Sequence, residues 1–317
     1  MRKKQYPSCG FTLIELLTVV AIISMLIMIF SVGTRKVTII GKGLQQKSVF
    51  HAMKVGLELF SGDFQDYPDS AVRHDGSGNQ QVTGAQHLVE ALLGRDEQGF
   101  EPRTGWYPPD DTHYRPDAPI TSLYSSMPES LARRKGPYFE LKYGSINTLF
   151  ELWDGVKGGS PVYDSGSAPS EMRYRSPVIT DVFNRNDTPI GRVGMPILYF
   201  KADPSKVFRI DPTTRQPVTI PTPADYRQWT YNFDDNRAIL ELPWLRDTTV
   251  TPGLNRHYQD PDDPGKTHAQ VFYEQITQPG SDPSRGFFRP HNQSTFILIS
   301  AGWDGVFGTK DDIVNFD

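Results

Sequence analysis

Three carboxylates crowd the end of the chain. Residues 300–314 read Ser-Ala-Gly-Trp-Asp-Gly-Val-Phe-Gly-Thr-Lys-Asp-Asp-Ile-Val, which sets Asp304, Asp311 and Asp312 among Gly302, Gly305 and Gly308. Carboxylates this close repel one another unless a cation, a proton or hydrogen bonds relieve them. Calcium takes about six to eight oxygens, from carboxylates and from backbone carbonyls that tight turns expose. Glycine permits such turns. The run lacks the D-x-[DN]-x-[DN]-G spacing of an EF-hand. An ordinary Asp/Gly turn between two strands accounts for the same residues, since both types dominate turns. Calcium and a plain turn therefore both stand as readings of this loop.

The second unusual carboxylate is Glu15. It is the only charge in residues 11–33, where 17 of 23 residues are apolar. As a helix that block is about 35 Å long at roughly 1.5 Å per residue, enough for a bilayer core of about 30 Å. A carboxylate inside such a span is costly and usually functional. Arg2, Lys3 and Lys4 precede the block and place the N-terminus in the cytoplasm. The following Ser-Val-Gly-Thr-Arg-Lys-Val fits a signal-peptidase site poorly. Cys9 lies before the apolar run, which does not suit a lipoprotein signal.

Other chemistry finds little support. The seven histidines (51, 74, 87, 113, 257, 268 and 291) show no H-E-x-x-H or other tight ligand spacing. The common hydrolase and nucleotide signatures are missing. Asp110-Asp111, Asp234-Asp235 and Asp262-Asp263 lie beside Pro, Asn or Gly and read as solvated turns. Only a fold could bring two such carboxylates to the spacing of about 5–10 Å that a glycosidase needs. No enzymatic activity is expected. A net charge of −4 argues against nucleic acid as a partner. The single cysteine excludes a disulfide framework.

The elements that must position these residues are partly legible. Val49, Met53, Leu57 and Phe60 form one apolar stripe in a proline-free stretch, so the helix should continue through 34–60 and end near Ser61-Gly62. Arg35, Lys36, Lys42 and Lys47 sit on its early part, near lipid headgroups. Residues 85–93 have helical spacing, and a further helix is expected around 269–275. Thr295–Ser300 is a buried-strand signal. Residues 69–135, 154–192 and 203–293 are rich in Gly, Pro and Asp and otherwise give no reading.

Gly10-Phe11-Thr12-Leu13-Ile14-Glu15-Leu16-Leu17 resembles the cleavage and methylation signature of type IV pilins and type II secretion pseudopilins. The resemblance implies cleavage after Gly10 by a prepilin peptidase and N-methylation of Phe11. It also implies that Glu15 meets the Phe11 amine of a neighbouring subunit and sets filament register. The proline that many members carry further along this helix is replaced here by Ser31-Val32-Gly33. Tyr67-Pro68, Gly136-Pro137-Tyr138-Phe139 and Gly194-Met195-Pro196-Ile197-Leu198-Tyr199-Phe200 are also similar to pseudopilin elements. In pseudopilins an Asp precedes the last of these, and Asp181 is the candidate, at a longer spacing. The C-terminal run resembles the calcium loop of major pseudopilins. Carried over, Asp304, Asp311 and Asp312 are side-chain ligands of Ca2+, with Ser300, Phe307 and Thr309 as weaker candidates through backbone carbonyls.

The resemblance implies an α+β, pilin-like fold, a long helix on a small antiparallel sheet with large insertions. Its parts would be a leader (1–10), a transmembrane or filament-core helix (11–33), an amphipathic continuation (34–60) and a periplasmic globular domain (61–317). The function implied is that of a structural pseudopilus subunit in type II secretion. A type IV or minor pilin in adhesion or DNA uptake, and a pilin-anchored carbohydrate-binding or enzymatic domain, are the alternatives. Implied partners are other pseudopilin subunits, prepilin peptidase, an inner-membrane assembly platform and, before assembly, membrane lipid. The implied location is the bacterial inner membrane, single-pass, with a periplasmic or surface filament after assembly.

Overall fold

The computed structural model describes residues 12–71, 73–74, 81–94, 97–102, 128–140, 145–148, 177–183, 185–188, 191–206, 229–240, 257–278 and 289–316. It divides into two compact units, Met1–Leu44 and Gln45–Asp317. Helix α1, Leu13–Phe64, contributes to both.

In the first unit, α1 exposes large apolar side chains in succession, among them Leu13, Leu17, Ile23 and Met28. Among the described residues no helix is long and apolar enough to cross a membrane.

In the second unit the expected stripe is buried: Val49, Met53, Leu57 and Phe60 are all 3% exposed or less. The helix overruns the expected glycine stop and ends at Phe64. Gln65 makes the turn instead, in the left-handed region at φ 61°, and its N–H donates to the Ser61 carbonyl at 2.7 Å. That bond satisfies an end carbonyl, so Gly62 stays helical. Helix α2, Gly84–Leu93, is buried along its whole length. Its start is a capping box in which Thr83 and Gln86 satisfy each other's backbone donors.

Among the described residues there are four antiparallel sheets, three of them two-stranded. These pair β1 (Arg73–His74) with β2 (Gln81–Val82), β3 (Ser145–Thr148) with β4 (Pro177–Thr180), and β5 (Arg185–Thr188) with β6 (Gly191–Val193). The fourth has the order β7 (Leu198–Lys201), β8 (Phe296–Ser300), β9 (Ile313–Val314). Its register pairs Leu198 with Ile299, Phe200 with Ile297 and Ser300 with Ile313.

Side chains alternate across a strand, and here both faces are covered. Tyr199, Phe296, Leu298 and Ile313 join Val49, Met53, Leu57, Leu88 and Leu92 of the helical layer. Phe200, Ile297, Ile299 and Val314 join Tyr231, Phe233, Tyr258, Phe272 and Phe307 in a second layer. That second layer comes largely from residues 203–293, where the sequence marks only a helix around 269–275: a 3-10 turn Phe233–Asn236, α4 (Arg237–Leu240) and α5 (His268–Gln275). Helix α3, Pro128–Arg133, lies outside both of these clusters. The arrangement is α+β, with a helix over a small antiparallel sheet and a further aromatic layer on the sheet's other face.

Leu57 is fully buried. Leu57→Ala is expected to cost about 2–5 kcal/mol, the range for a buried leucine that leaves a cavity. Urea denaturation of the detergent-purified chain measures this; a loss below about 1 kcal/mol would mean that the α1 face does not pack as described.

Candidate functional site

The acidic run forms a closed loop between β8 and β9. Ser300 ends β8, fully buried, and its hydroxyl donates to Asp181 Oδ2 at 2.9 Å. Asp181 Oδ1 in turn accepts the N–H groups of Phe183 and Met195, both at 3.1 Å. The Asp181 N–H donates to the Met195 carbonyl at 2.8 Å. The aspartate expected to accompany the Gly-x-Pro turn is thus in contact with it. One buried carboxylate joins that turn to the end of the central strand. Ser300 Oγ also accepts the Gly302 N–H at 3.3 Å. Gly302 has φ 61°, and a β-carbon there would press on the Asp311 carbonyl. Only glycine lets the two sides of the loop approach so closely.

Asp304 and Asp311 face one another. The Asp304 N–H donates to Asp311 Oδ2 at 2.9 Å, and the Val306 N–H donates to Asp304 Oδ1 at 2.7 Å. The Thr309 hydroxyl lies 2.6 Å from Asp311 Oδ1 and 3.2 Å from the Val306 carbonyl. Burial, together with the Asp311 carboxylate, lifts Asp304 above the ordinary carboxylate range, although the Val306 N–H opposes this. Asp311 is the member held low: burial raises it, but the Thr309 hydroxyl and the Asp304 N–H outweigh burial. The pair is thereby arranged so that one carboxylate takes up a proton before the other.

Asp312 is held apart from that pair. Its Oδ2 accepts Gln275 Nε2 of α5 at 2.6 Å and the Gly308 N–H at 2.7 Å. Its Oδ1 is buried and has no hydrogen-bond partner. Burial, and then the charges of Asp311 and Asp304, push its carboxyl up to about 8. Phe307 is a core residue: its N–H donates to His257 Nδ1 at 3.1 Å, and its carbonyl accepts the Tyr258 N–H at 2.6 Å. The loop therefore rests on His257, Tyr258 and Gln275, three residues with no signal in the sequence pattern. Among the described residues no group of three or more His, Cys, Asp or Glu side chains is arranged to hold a metal ion.

At the other end of the chain, Gly10 and Phe11 lie outside the described residues. Glu15 starts α1. Its Oε2 accepts the Thr12 N–H at 2.9 Å and the Thr12 hydroxyl at 2.7 Å. The Glu15 N–H points back to Thr12 Oγ1 at 3.3 Å. This is a capping box, legible in Thr12-Leu13-Ile14-Glu15 as T-x-x-E. Glu15 thus caps its own helix, a role the spacing signals and that the resemblance alone does not bring out.

Residues 7–31 match the family model of the prokaryotic N-terminal methylation motif. The chain therefore carries the prepilin-type N-terminus, the hallmark of type IV pilin and pseudopilin precursors. Such a motif implies a membrane-anchored precursor, processing by prepilin peptidase and pilus-like assembly with other subunits. No curated protein and no solved structure matches the chain significantly.

Asp312 yields a signed expectation. Its folded value of about 8 lies above the ordinary 3.8, so the folded state holds a proton that the unfolded state releases. In chelator, the purified chain should lose stability as pH rises from about 4 to about 8. Asp312→Asn should flatten that slope. Thermal melts across the range decide it; an equal slope in the variant would place the penalty elsewhere.

Proposed function

We propose that the chain is a structural, non-enzymatic subunit of a type II secretion pseudopilus, anchored in the bacterial inner membrane before assembly and joined to its neighbours by the N-terminal helix. The observation that carries this is the methylation motif at residues 7–31 with Glu15 inside it. After cleavage behind Gly10, Phe11 offers a free α-amine one helical turn from Glu15. In a filament, the Glu15 carboxylate gives up its bond to Thr12 for the amine of the next copy. An uncompensated charge in an apolar filament core is penalised, so the exchange fixes axial register. The secretion reading is favoured over a surface pilus by the loop after β8, where a buried Ser300 bonded to Asp181 leads into Gly302, Asp304, Asp311 and Asp312.

Calcium belongs to this proposal. Asp304 and Asp311 are the residues that would hold it, in place of the positive charge their facing carboxylates call for. Asp312, whose Oδ1 is buried without a partner, would supply a third carboxylate oxygen. Carbonyls of Ser300, Phe307 and Thr309 are the weaker candidates; that of Phe307 already accepts Tyr258. The ion would neutralise the loop and tie β8 to β9. Magnesium, which demands a smaller octahedral site, would substitute poorly.

Two measurements test the reading. Mass spectrometry of the mature protein should find Phe11 as a methylated N-terminus; a chain starting at Met1 would overturn the proposal. Glu15→Ala should insert normally and lose filament assembly or secretion by tenfold or more, on the order of 1.4 kcal/mol of register preference. For the loop, calcium at one hundred times its Kd should add about 2.7 kcal/mol of stability, read as a melting temperature several degrees higher than in chelator. Asp304→Ala should abolish that difference. A melting temperature indifferent to calcium would leave the loop an ordinary turn.

A further inference from the structure

Beyond the loop and the helix start, the unit Gln45–Asp317 carries a cleft of about 1100 Å³. Three stretches far apart in sequence wall it: 66–71 after α1, 201–206 at the end of β7, and 229–237 in the aromatic layer. Hydrogen bonds fix these stretches to one another. The Ser70 hydroxyl donates to Asp235 Oδ2 at 2.5 Å and accepts the Lys201 N–H at 2.9 Å. The Asp203 N–H donates to the Thr230 carbonyl at 2.7 Å, and the Thr230 hydroxyl donates to the Lys206 carbonyl at 2.9 Å. Ser70 and Asp235 are buried and form a floor beneath the charged groups. A cleft cross-linked in this way needs little ordering to receive a ligand.

Three ion pairs line the cleft: Lys201 with Asp66 at 2.5 Å, Lys206 with Asp203 at 2.9 Å and Arg237 with Asp234 at 3.7 Å. Each is partly open to solvent. Pairs of this kind add little to stability. What they do here is set acceptors beside donors. Trp229 lines the same cleft, and its ring packs on Tyr273 with centroids 4.0 Å apart. At Asp66 the cleft meets a second compartment of about 420 Å³, walled in part by Phe64, Tyr67 and Phe100. Paired donors and acceptors are thus set between aromatic surfaces.

The lining narrows the class of ligand. An anion is disfavoured, because Asp66, Asp69, Asp203, Asp234 and Asp235 outnumber the three cations. A cation has to compete with Lys201, Lys206 and Arg237 for the oxygens they hold. An apolar ligand would strip water from charged groups and return no hydrogen bonds. A neutral polyol escapes all three penalties. One of two neighbouring hydroxyls donates to a carboxylate while the other accepts from the adjacent ammonium or guanidinium, so an ion pair is bridged without being broken. The C–H faces of a sugar ring pack against aromatic rings. We propose that this cleft binds a neutral oligosaccharide, with the Asp203–Lys206 and Asp234–Arg237 pairs reading vicinal hydroxyls, and with Trp229 and the compartment of Phe64 and Phe100 taking ring faces. The site belongs to the globular unit and does not rest on the pseudopilus reading.

Titration calorimetry on the full chain tests it, in a detergent without a sugar headgroup. Maltotetraose, cellotetraose and the N-acetylglucosamine tetramer serve as neutral probes, and the glucosamine tetramer as a cationic one. At least one neutral probe should bind with a Kd of about 1 mM or tighter. Lys206→Met with Arg237→Gln, at positions 39% and 41% exposed, should weaken that binding at least tenfold while the chain melts as before. Asp203→Asn, which keeps the shape of the side chain, should weaken it too. Unchanged affinity in these variants would put the sugar elsewhere and overturn the site. Binding of the glucosamine tetramer alone would mean that the cleft answers to charge, and would overturn it as well. A panel in which no probe binds would do the same. Filament formation by the same variants is scored separately, so the failure of either reading leaves the other standing.

Discussion

Strand β8 has a hydrogen-bonded neighbour on each edge and apolar side chains on each face, and that condition organises Gln45–Asp317. A strand reading Phe-Ile-Leu-Ile-Ser cannot leave either face in water, because each large side chain contributes roughly 1.5–3 kcal/mol when buried. One face is met by the α1 stripe and α2. The other would be bare in a molecule consisting of helix and sheet alone. Tyr231, Phe233, Tyr258 and Phe272 supply the missing cover. The long segments between β7 and β8 are therefore structural in part: they complete a core that the sheet begins.

The acidic loop inherits its shape from this cover. His257 holds the Phe307 N–H, the Tyr258 N–H reaches the Phe307 carbonyl, and Gln275 holds Asp312. Each contact comes from the second layer. The loop's electrostatics follow: Asp312 is turned toward α5 and loses solvent, while the exposed Asp304 and the half-buried Asp311 share their charge. Three aspartates close in sequence thus occupy two different environments, and only the fold distinguishes them.

What could be read beforehand follows the range of the interactions. The stripe at Val49, Met53, Leu57 and Phe60 was legible because helical periodicity is local, and α2, α5 and β8 were anticipated to within a few residues from equally local patterns, whereas 194–200, which holds β7, was singled out only by resemblance. The helix end was missed because Gln65, an unremarkable residue, took the left-handed turn that glycine usually makes. The capping box at Thr12 and Glu15 was visible as T-x-x-E but is overshadowed by the methylation signature around it. Asp181 was identified through its link to the Gly-x-Pro turn. Its hydrogen bond to Ser300, 119 residues away, has no local trace. His257, Tyr258 and Gln275 were invisible for the same reason, since they meet the loop only after the chain has folded back.

The position of β8 also sets an order of events. Leu198 pairs with Ile299, so the sheet closes across a very long connection. Chains emerge from the N-terminus first, and non-local strand pairing waits on loop closure. Until β8 has been made, α1 and α2 lack the central strand they cover and the aromatic layer has only β7 to rest on. The domain consequently cannot close until β8 and β9 have both emerged. Loss of residues 296–314 would remove the centre of the structure and leave its periphery with nothing to enclose.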